Sequence, residues 1–96
     1  MNTVNNSGDY RSGIKVTASV EFMGTQRNLT GKSSVEISIE DFPSVSDVLE
    51  HIANSFPSLY INKYNAMITV NDEISPADRV LKAGDKIVFL PVVGGG

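Results

Sequence analysis

Residues 44–56 (SVSDVLEHIANSF) decide the fold of this chain, because they carry its clearest helical pattern. Their apolar side chains recur every three or four residues and therefore form one stripe: Val45, Val48, Leu49, Ile52 and Phe56. Ser44 is the expected N-cap, and Asp47 suits both a capping box and the helix dipole. Pro57 should end the helix, since the residue before a proline disfavours helical geometry. Three turns with one apolar stripe predict a helix packed across one face of a sheet.

Two strands are predicted before this helix. Residues 14–23 alternate apolar and polar, with Met23 on the polar side, and the apolar face consists of Ile14, Val16, Ala18, Val20 and Phe22. Residues 33–39 form the second strand, with Val35, Ile37 and Ile39 on one face. The segment 24–32 is too long for a tight hairpin, so we expect a turn or short helical loop that buries Leu29.

After the helix, the pattern predicts a connection and three further strands. Residues 58–65 should tuck side chains under the core, namely Leu59, Tyr60 and Ile61. Residues 66–70 form the third strand, and a turn at 71–73 leads to a short strand around Ile74. The loop 76–83 should bury Val80 and Leu81. Gly84 supplies the positive φ for a turn into the last strand, residues 85–90.

This order of elements predicts an α+β fold of the β-grasp (ubiquitin-like) type, a mixed sheet of about five strands with one main helix on one face. The helix crossover separates the two halves of the chain, so the last strand should lie centrally, parallel to the first. The domain boundaries follow: a disordered leader at 1–13, a β-grasp domain at 14–91 and a flexible glycine tail at 92–96.

Composition narrows the functional classes. A 96-residue chain forms one domain, and its net charge of −3 with scattered Lys and Arg argues against nucleic acid. The sequence has no apolar run that would span a membrane and no signal peptide, so we expect a cytoplasmic protein. It has no cysteine, which excludes disulfides, thiolate metal sites and a cysteine nucleophile.

Catalytic patterns are weak. His51 is the single histidine and lies off the apolar stripe with Glu50, as a solvated surface residue would. The adjacent acids 40–41 and 72–73 are typical of turns, and no serine has a general base near it in the pattern. The prediction is a non-enzyme.

The C-terminal sequence carries the functional signal. A strand-like run leads directly into Val92, Val93, Gly94, Gly95 and Gly96. Glycine has no Cβ, so three of them form a thin, mobile end that could enter a narrow channel and deliver the Gly96 α-carboxylate to it. A frayed terminus or a Gly-rich linker is the competing interpretation.

Several short motifs, in the right order and spacing, resemble those of the ubiquitin-like sulfur carriers of bacteria and archaea. Residues 22–31 (FMGTQRNLTG) are similar to a loop of the molybdopterin synthase small subunit, where two aromatics precede a small residue and Arg-Glu-Leu-x-Gly. Met23 replaces an aromatic and Asn28 a Glu in that loop; the matching positions are Phe22, Arg27, Leu29 and Gly31. The segments 70–72, 81–85 and 89–92 also fit.

The ending resembles two branches of the family. Pro91-Val92 is similar to molybdopterin synthase, whereas the final Val93 and glycine triplet are similar to the thiamine-pathway carrier. The loop after the first strand favours the molybdopterin type. Because the family usually ends in two glycines, the functional end is either Gly96 or Gly95 after trimming.

The resemblance implies a mechanism and partners. An E1-like adenylyltransferase would use ATP to adenylate Gly96, and a persulfide donor would then convert it to a thiocarboxylate. The tail, residues 94–96, would next insert into the large subunit of molybdopterin synthase. The chain itself would bind no cofactor. The expected docking residues for these partners are Phe89, Leu90, Pro91, Met23 and Arg27.

Two rival functions remain. The same activated glycine could be attacked by lysines of target proteins, which would make the chain an archaeal-type protein modifier, or the sulfur could serve thiamine or tRNA. A plain interaction domain with an incidental tail is the second rival. It predicts that deleting Gly95 and Gly96 changes nothing.

Overall fold

A five-stranded sheet and one long helix make up the described part of the chain, residues 16–91 of a computed structural model. The elements in chain order are β1 Thr17–Glu21, α1 Thr25–Thr30, β2 Ser34–Ser38, α2 Val45–Ser55, a 3-10 turn Pro57–Leu59, β3 Ala66–Val70, β4 Glu73–Ile74 and β5 Lys86–Pro91. The predicted leader at 1–13, the tail at 92–96 and Ile14 lie outside the described residues.

The sheet has the strand order β2-β1-β5-β3-β4. β1 and β5 are parallel, with Val20 opposite Ile87, and the other three pairs are antiparallel. The last strand is therefore central and parallel to the first, as predicted. Together with α2 on one face, this confirms an α+β fold of the β-grasp type.

The capping box of α2 is formed in full. The Asp47 N–H donates to Ser44 Oγ at 3.2 Å, and the Ser44 N–H donates to Asp47 Oδ2 at 3.1 Å. The helix ends at Ser55, and Phe56 leaves helical geometry with φ −132°, as the following proline requires. The predicted stripe faces the sheet, with Phe56 half-buried at its end and the others buried: Val45, Val48, Leu49 and Ile52.

The core lies between α2 and the alternate residues of the central strands. β1 contributes Ala18 and Val20, and Phe22 follows; β3 and β5 contribute Ile68, Val70, Ile87 and Phe89. The Phe22 and Phe56 rings meet edge to face, with centroids 5.4 Å apart. The opposite face of the sheet is not covered by any element within residues 16–91, because α2 packs on one side alone.

Two predicted core residues beside the strands are exposed instead. Val16 precedes the first residue of β1, where it is exposed. Leu29 is also exposed, because α1 turns Gln26 rather than Leu29 toward the domain. The prediction that the 24–32 segment forms a short helical loop is correct, but the residue that it buries is polar.

Two loop predictions fail for a common reason, since neighbouring residues cannot all point inward. Tyr60 adopts the left-handed conformation (φ 54°), and its side chain turns outward between buried Leu59 and Ile61. Val80 makes a backbone bridge with Ser44 and is 69% exposed, and Leu81 takes the buried position.

Asp85 anchors the turn before β5. Its buried carboxylate accepts hydrogen bonds from the Lys82 N–H (2.8 Å) and from Asn71 Nδ2 (2.9 Å), and Gly84 provides the left-handed turn (φ 83°) next to it. Burial alone would raise the pKa of Asp85. The two hydrogen bonds, with the charges of Arg79 and Lys82, outweigh it and hold the pKa below its usual value.

This lowered pKa predicts an acid-dependent loss of stability. A carboxylate whose pKa is lower in the folded than in the unfolded state stabilises the fold at pH values above the ordinary Asp pKa of about 3.9. This stabilisation disappears as the pH falls through the pKa of the folded state. We expect Asp85→Asn to lower the free energy of unfolding by about 1–2 kcal/mol at pH 7 and to reduce its decline below about pH 4. Denaturant titrations at pH 7, 4 and 3 measure both effects. An equal decline in both proteins would contradict the assignment.

Candidate functional site

The described part of the chain ends with β5 at one end of the sheet, which we call the tail exit. Pro91 is the last paired residue of β5 and lies opposite Ala66, the first residue of β3. Because β1 is parallel to β5, its carboxyl end lies there as well, with Glu21 opposite Val88. α1 and the loop before β3 therefore flank the point where the C-terminal sequence begins.

Gln26 ties α1 to the last strand at this point. Its side chain is buried, Nε2 donates to the Phe89 carbonyl at 2.8 Å, and Oε1 accepts from the Met23 N–H at 3.0 Å. β1 has ended here, so the amide replaces the ladder partner that the Phe89 carbonyl would otherwise lack. Gln26 was not predicted from the sequence, because a Gln within a polar loop carries no periodic signal.

Arg27 is exposed beside this connection. Its Nε donates to the Phe22 carbonyl at 3.0 Å, which fixes the guanidinium at the end of β1. The predicted docking residue therefore lies at the tail exit, and among residues 16–91 its side chain donates through Nε alone.

The other predicted docking residues separate into two groups. Met23 is 43% exposed, and Leu90 is half-buried on the uncovered face of the sheet. Phe89 is only 2% exposed and belongs to the core beneath α2, so its side chain is not available for docking. Alternation along β5 explains the difference, since Phe89 and Leu90 must point to opposite faces. Gly94, Gly95, Gly96 and the side chain of Pro91 lie outside the described residues.

The uncovered face has an apolar half beside the tail exit. Met67 lies directly opposite Leu90 across the β3–β5 pair and is 42% exposed, with Val88 next to them. Met23 continues the alternation of β1 onto the same side. The half formed by β1 and β2 is polar, and there Thr17 Oγ1 donates to Glu36. Met67 was not identified as a docking residue from sequence, although its alternation with Ile68 could have indicated its face.

The structure offers little for catalysis elsewhere. His51 is half-buried and stacks on Phe42, with ring centroids 4.3 Å apart, rather than being freely solvated. Within residues 16–91, no three His, Asp or Glu side chains group in a way that could hold a metal ion. Neither described helix is long and apolar enough to cross a membrane.

These features define a β-grasp domain whose central strand is followed, in the sequence, by two valines and three glycines. Comparison with known families agrees, because residues 20–96 match the model of the ThiS family. The chain belongs to the ThiS family.

Individual relatives fit this assignment. The molybdopterin synthase sulfur carrier subunit of Haemophilus influenzae is 30% identical over 79 residues, which cover 80% of this chain and 96% of that protein. A putative molybdopterin converting factor, subunit 1, from Pyrococcus furiosus superposes with a TM-score of 0.67 at 24% identity, covering 81% of this chain and 99% of that one. The small archaeal modifier protein 1 of Methanosarcina acetivorans gives 0.68 at 22% identity, covering 88% and 100%. The two structural likenesses bear on the fold alone.

Proposed function

We propose that this chain is a sulfur carrier whose C-terminal glycine is adenylated and then converted to a thiocarboxylate. The position of β5 carries the proposal: the central strand ends at Pro91, and the sequence from there to Gly96 is five residues with three glycines. A chain without cysteine can hold sulfur in this way, because the sulfur resides on the terminal carbonyl rather than on a thiol side chain. The chain carries the sulfur and is a substrate of other enzymes; it is not itself an enzyme.

The chemistry requires three partners. An E1-like adenylyltransferase lets the Gly96 carboxylate attack the α-phosphorus of ATP, and the bond to pyrophosphate breaks. A persulfide on a donor protein attacks the resulting acyl adenylate, AMP leaves, and an acyl disulfide forms. A thiol reductant then cleaves the S–S bond, which leaves the thiocarboxylate on Gly96 and a new disulfide on the donor.

The recipient that we favour is the molybdopterin precursor, with this chain as the small subunit of molybdopterin synthase. The Haemophilus influenzae relative bears that name and is matched over nearly its whole length. The apolar half of the uncovered face supports the proposal, because Met67, Leu90 and Met23 adjoin the tail exit and could rest on the large subunit while the tail enters its active site. Exposed apolar groups next to a reactive terminus are typical of such interfaces.

A protein-modifier function is the alternative, because it would use the same activated Gly96; the Methanosarcina acetivorans modifier protein shares the fold. A lysine amine of a target would attack the same acyl adenylate, AMP would leave, and an isopeptide bond would form. Thiamine and tRNA pathways remain alternative sulfur recipients. All of these functions share the activated Gly96.

Intact mass spectrometry tests the shared step. The purified chain is incubated with ATP, the activating enzyme of the same organism, a persulfide donor and a thiol reductant. We expect a mass gain equal to the exchange of one oxygen for sulfur, and none when Gly95 and Gly96 are deleted.

The controls separate the candidates. An unchanged mass with an enzyme that is active on another carrier would overturn the sulfur-carrier proposal and favour a plain interaction domain. Thiocarboxylate formation followed by sulfur transfer only when the large synthase subunit is added would favour molybdopterin. Gly-Gly remnants on lysines after tryptic digestion would favour the modifier.

A further inference from the structure

Basic and acidic side chains are distributed unevenly between the two ends of the strands. The segments that meet at the tail exit, residues 22–33, 56–66 and 89–91, contain Arg27, Lys32 and Lys63 and no Asp or Glu. Glu21, half-buried at the carboxyl end of β1, adjoins these segments, and Glu50 lines a surface pocket with Lys63. The other acidic side chains within residues 16–91 lie in the rest of the domain, together with Arg79, Lys82 and Lys86. The tail exit therefore carries more basic than acidic side chains on a chain whose net charge is −3.

Exposed aromatic side chains accompany these cations. Tyr60 and Tyr64 are 81% and 86% exposed, and Lys63 Nζ lies 5.3 Å from the centre of the Tyr64 ring. The loop that carries them is braced by its own side chains: Asn65 Nδ2 donates to the Tyr60 carbonyl and Asn62 Oδ1 accepts from the Tyr64 N–H, each at 2.8 Å. Exposed tyrosines beside cations, on a loop whose backbone is held by hydrogen bonds, have the composition of a binding surface rather than of a solvated loop.

Geometry limits where a partner can act on Gly96. Five residues follow Pro91, so even a fully extended chain places Gly96 no more than about 18 Å from Pro91. An enzyme that reacts with the Gly96 carboxylate must therefore contact the surface around the tail exit, where Lys63, Tyr64 and Arg27 lie.

We propose that a surface which we call the collar docks on the activating enzyme, on an acidic protein surface around the channel that admits the tail. The collar consists of Arg27, Lys32, Tyr60, Lys63 and Tyr64. The cations steer the encounter and the tyrosines hold the complex. This inference rests on the proposed function. It adds the charge of the partner's surface and the residues of this chain that bind to that surface.

Charge reversal measures the steering. In stopped-flow association with the activating enzyme at 50 mM salt, we expect Lys63→Glu to slow association about fivefold, and the difference to shrink at 300 mM salt. Lys82→Glu is the matched control, since it makes the same charge change on an exposed lysine at the opposite end, and we expect little effect. Because the Lys82 charge also stabilises the Asp85 carboxylate, Lys82→Glu should lower the free energy of unfolding. Unfolding curves of both variants therefore set the conditions, in which both are folded, for the comparison.

Truncation measures the contact. Tyr64→Ala should raise the dissociation rate about tenfold, whereas Val80→Ala, also exposed but remote from the tail exit, should leave it unchanged. If Lys63→Glu and Lys82→Glu slow association with the enzyme equally, the effect reflects net charge alone, and the proposed role of the collar is overturned. Two results together would assign the cations to nucleic acid and also overturn the collar: the chain binds an RNA from which salt displaces it, and Lys63→Glu associates with the enzyme as fast as the unaltered chain does.

The same samples distinguish the two proposals. Thiocarboxylate formation by the unaltered chain is measured at saturating enzyme. If the unaltered chain is not converted, the proposed function fails. If it is converted and both collar variants bind as the unaltered chain does, only the collar assignment fails.

Discussion

Replacing Phe89 with alanine should lower the free energy of unfolding by about 3–5 kcal/mol, because the ring fills the core beneath α2 and little can collapse into the space that it leaves. Domains of this size are stable by about 5–15 kcal/mol, so the loss is a large fraction of the total. Denaturant titration at pH 7 measures it. The midpoint should fall while the slope stays the same.

Leu29→Ala is the matched control for Phe89→Ala. Leu29 is 50% exposed, and its truncation should change the free energy of unfolding by about 0.5 kcal/mol or less. The pair also separates the docking role predicted for Phe89 from its observed place in the core. A Phe89→Ala protein as stable as the unaltered chain, but deficient in partner binding, would return Phe89 to the docking surface and contradict its place in the core.

The fold could be predicted from sequence because its signals are periodic. The stripe of α2, the alternation of β1, and the breaks at Pro57 and Gly84 each specify local geometry, and their order permits few topologies. The failures occur where periodicity stops. Val80 and Leu81 are equally apolar, and the pairing of their segment with residues 43–45, which no local pattern reveals, accompanies the burial of Leu81 and the exposure of Val80.

The site was predictable in part. Glycines after a strand can be read from the sequence, and Arg27 and Met23 were predicted as docking residues. The structure places both beside the tail exit, and their docking role stays a prediction. Gln26, Met67 and Tyr64 were not identified as site residues, since their roles depend on which strands are neighbours and not on local pattern. Phe89 illustrates the same limit, because adjacency to Leu90 in sequence suggests one surface whereas the pleat of β5 places them on two.

The uncovered face yields the second large effect. Met67→Asp should weaken binding to the large subunit of molybdopterin synthase at least about 30-fold, because a carboxylate in an apolar contact loses its hydration without gaining a partner. Met67 is 42% exposed, so the fold should tolerate the change. Isothermal titration calorimetry with the large subunit of the same organism measures the dissociation constant.

Ile74→Asp separates a local contact from a general effect of charge. Ile74 is more exposed than Met67 and pairs with Thr69, so it lies on the same side of the sheet but on the edge strand β4. The same charge is introduced there, away from Leu90 and the tail exit, and we expect a change of less than about threefold. Met67→Leu should retain binding, since it keeps the apolar contact area. Comparable losses in the two Asp variants would mean that the large subunit senses net charge rather than the apolar half of this face, and the docking surface would then have to lie elsewhere around the tail exit.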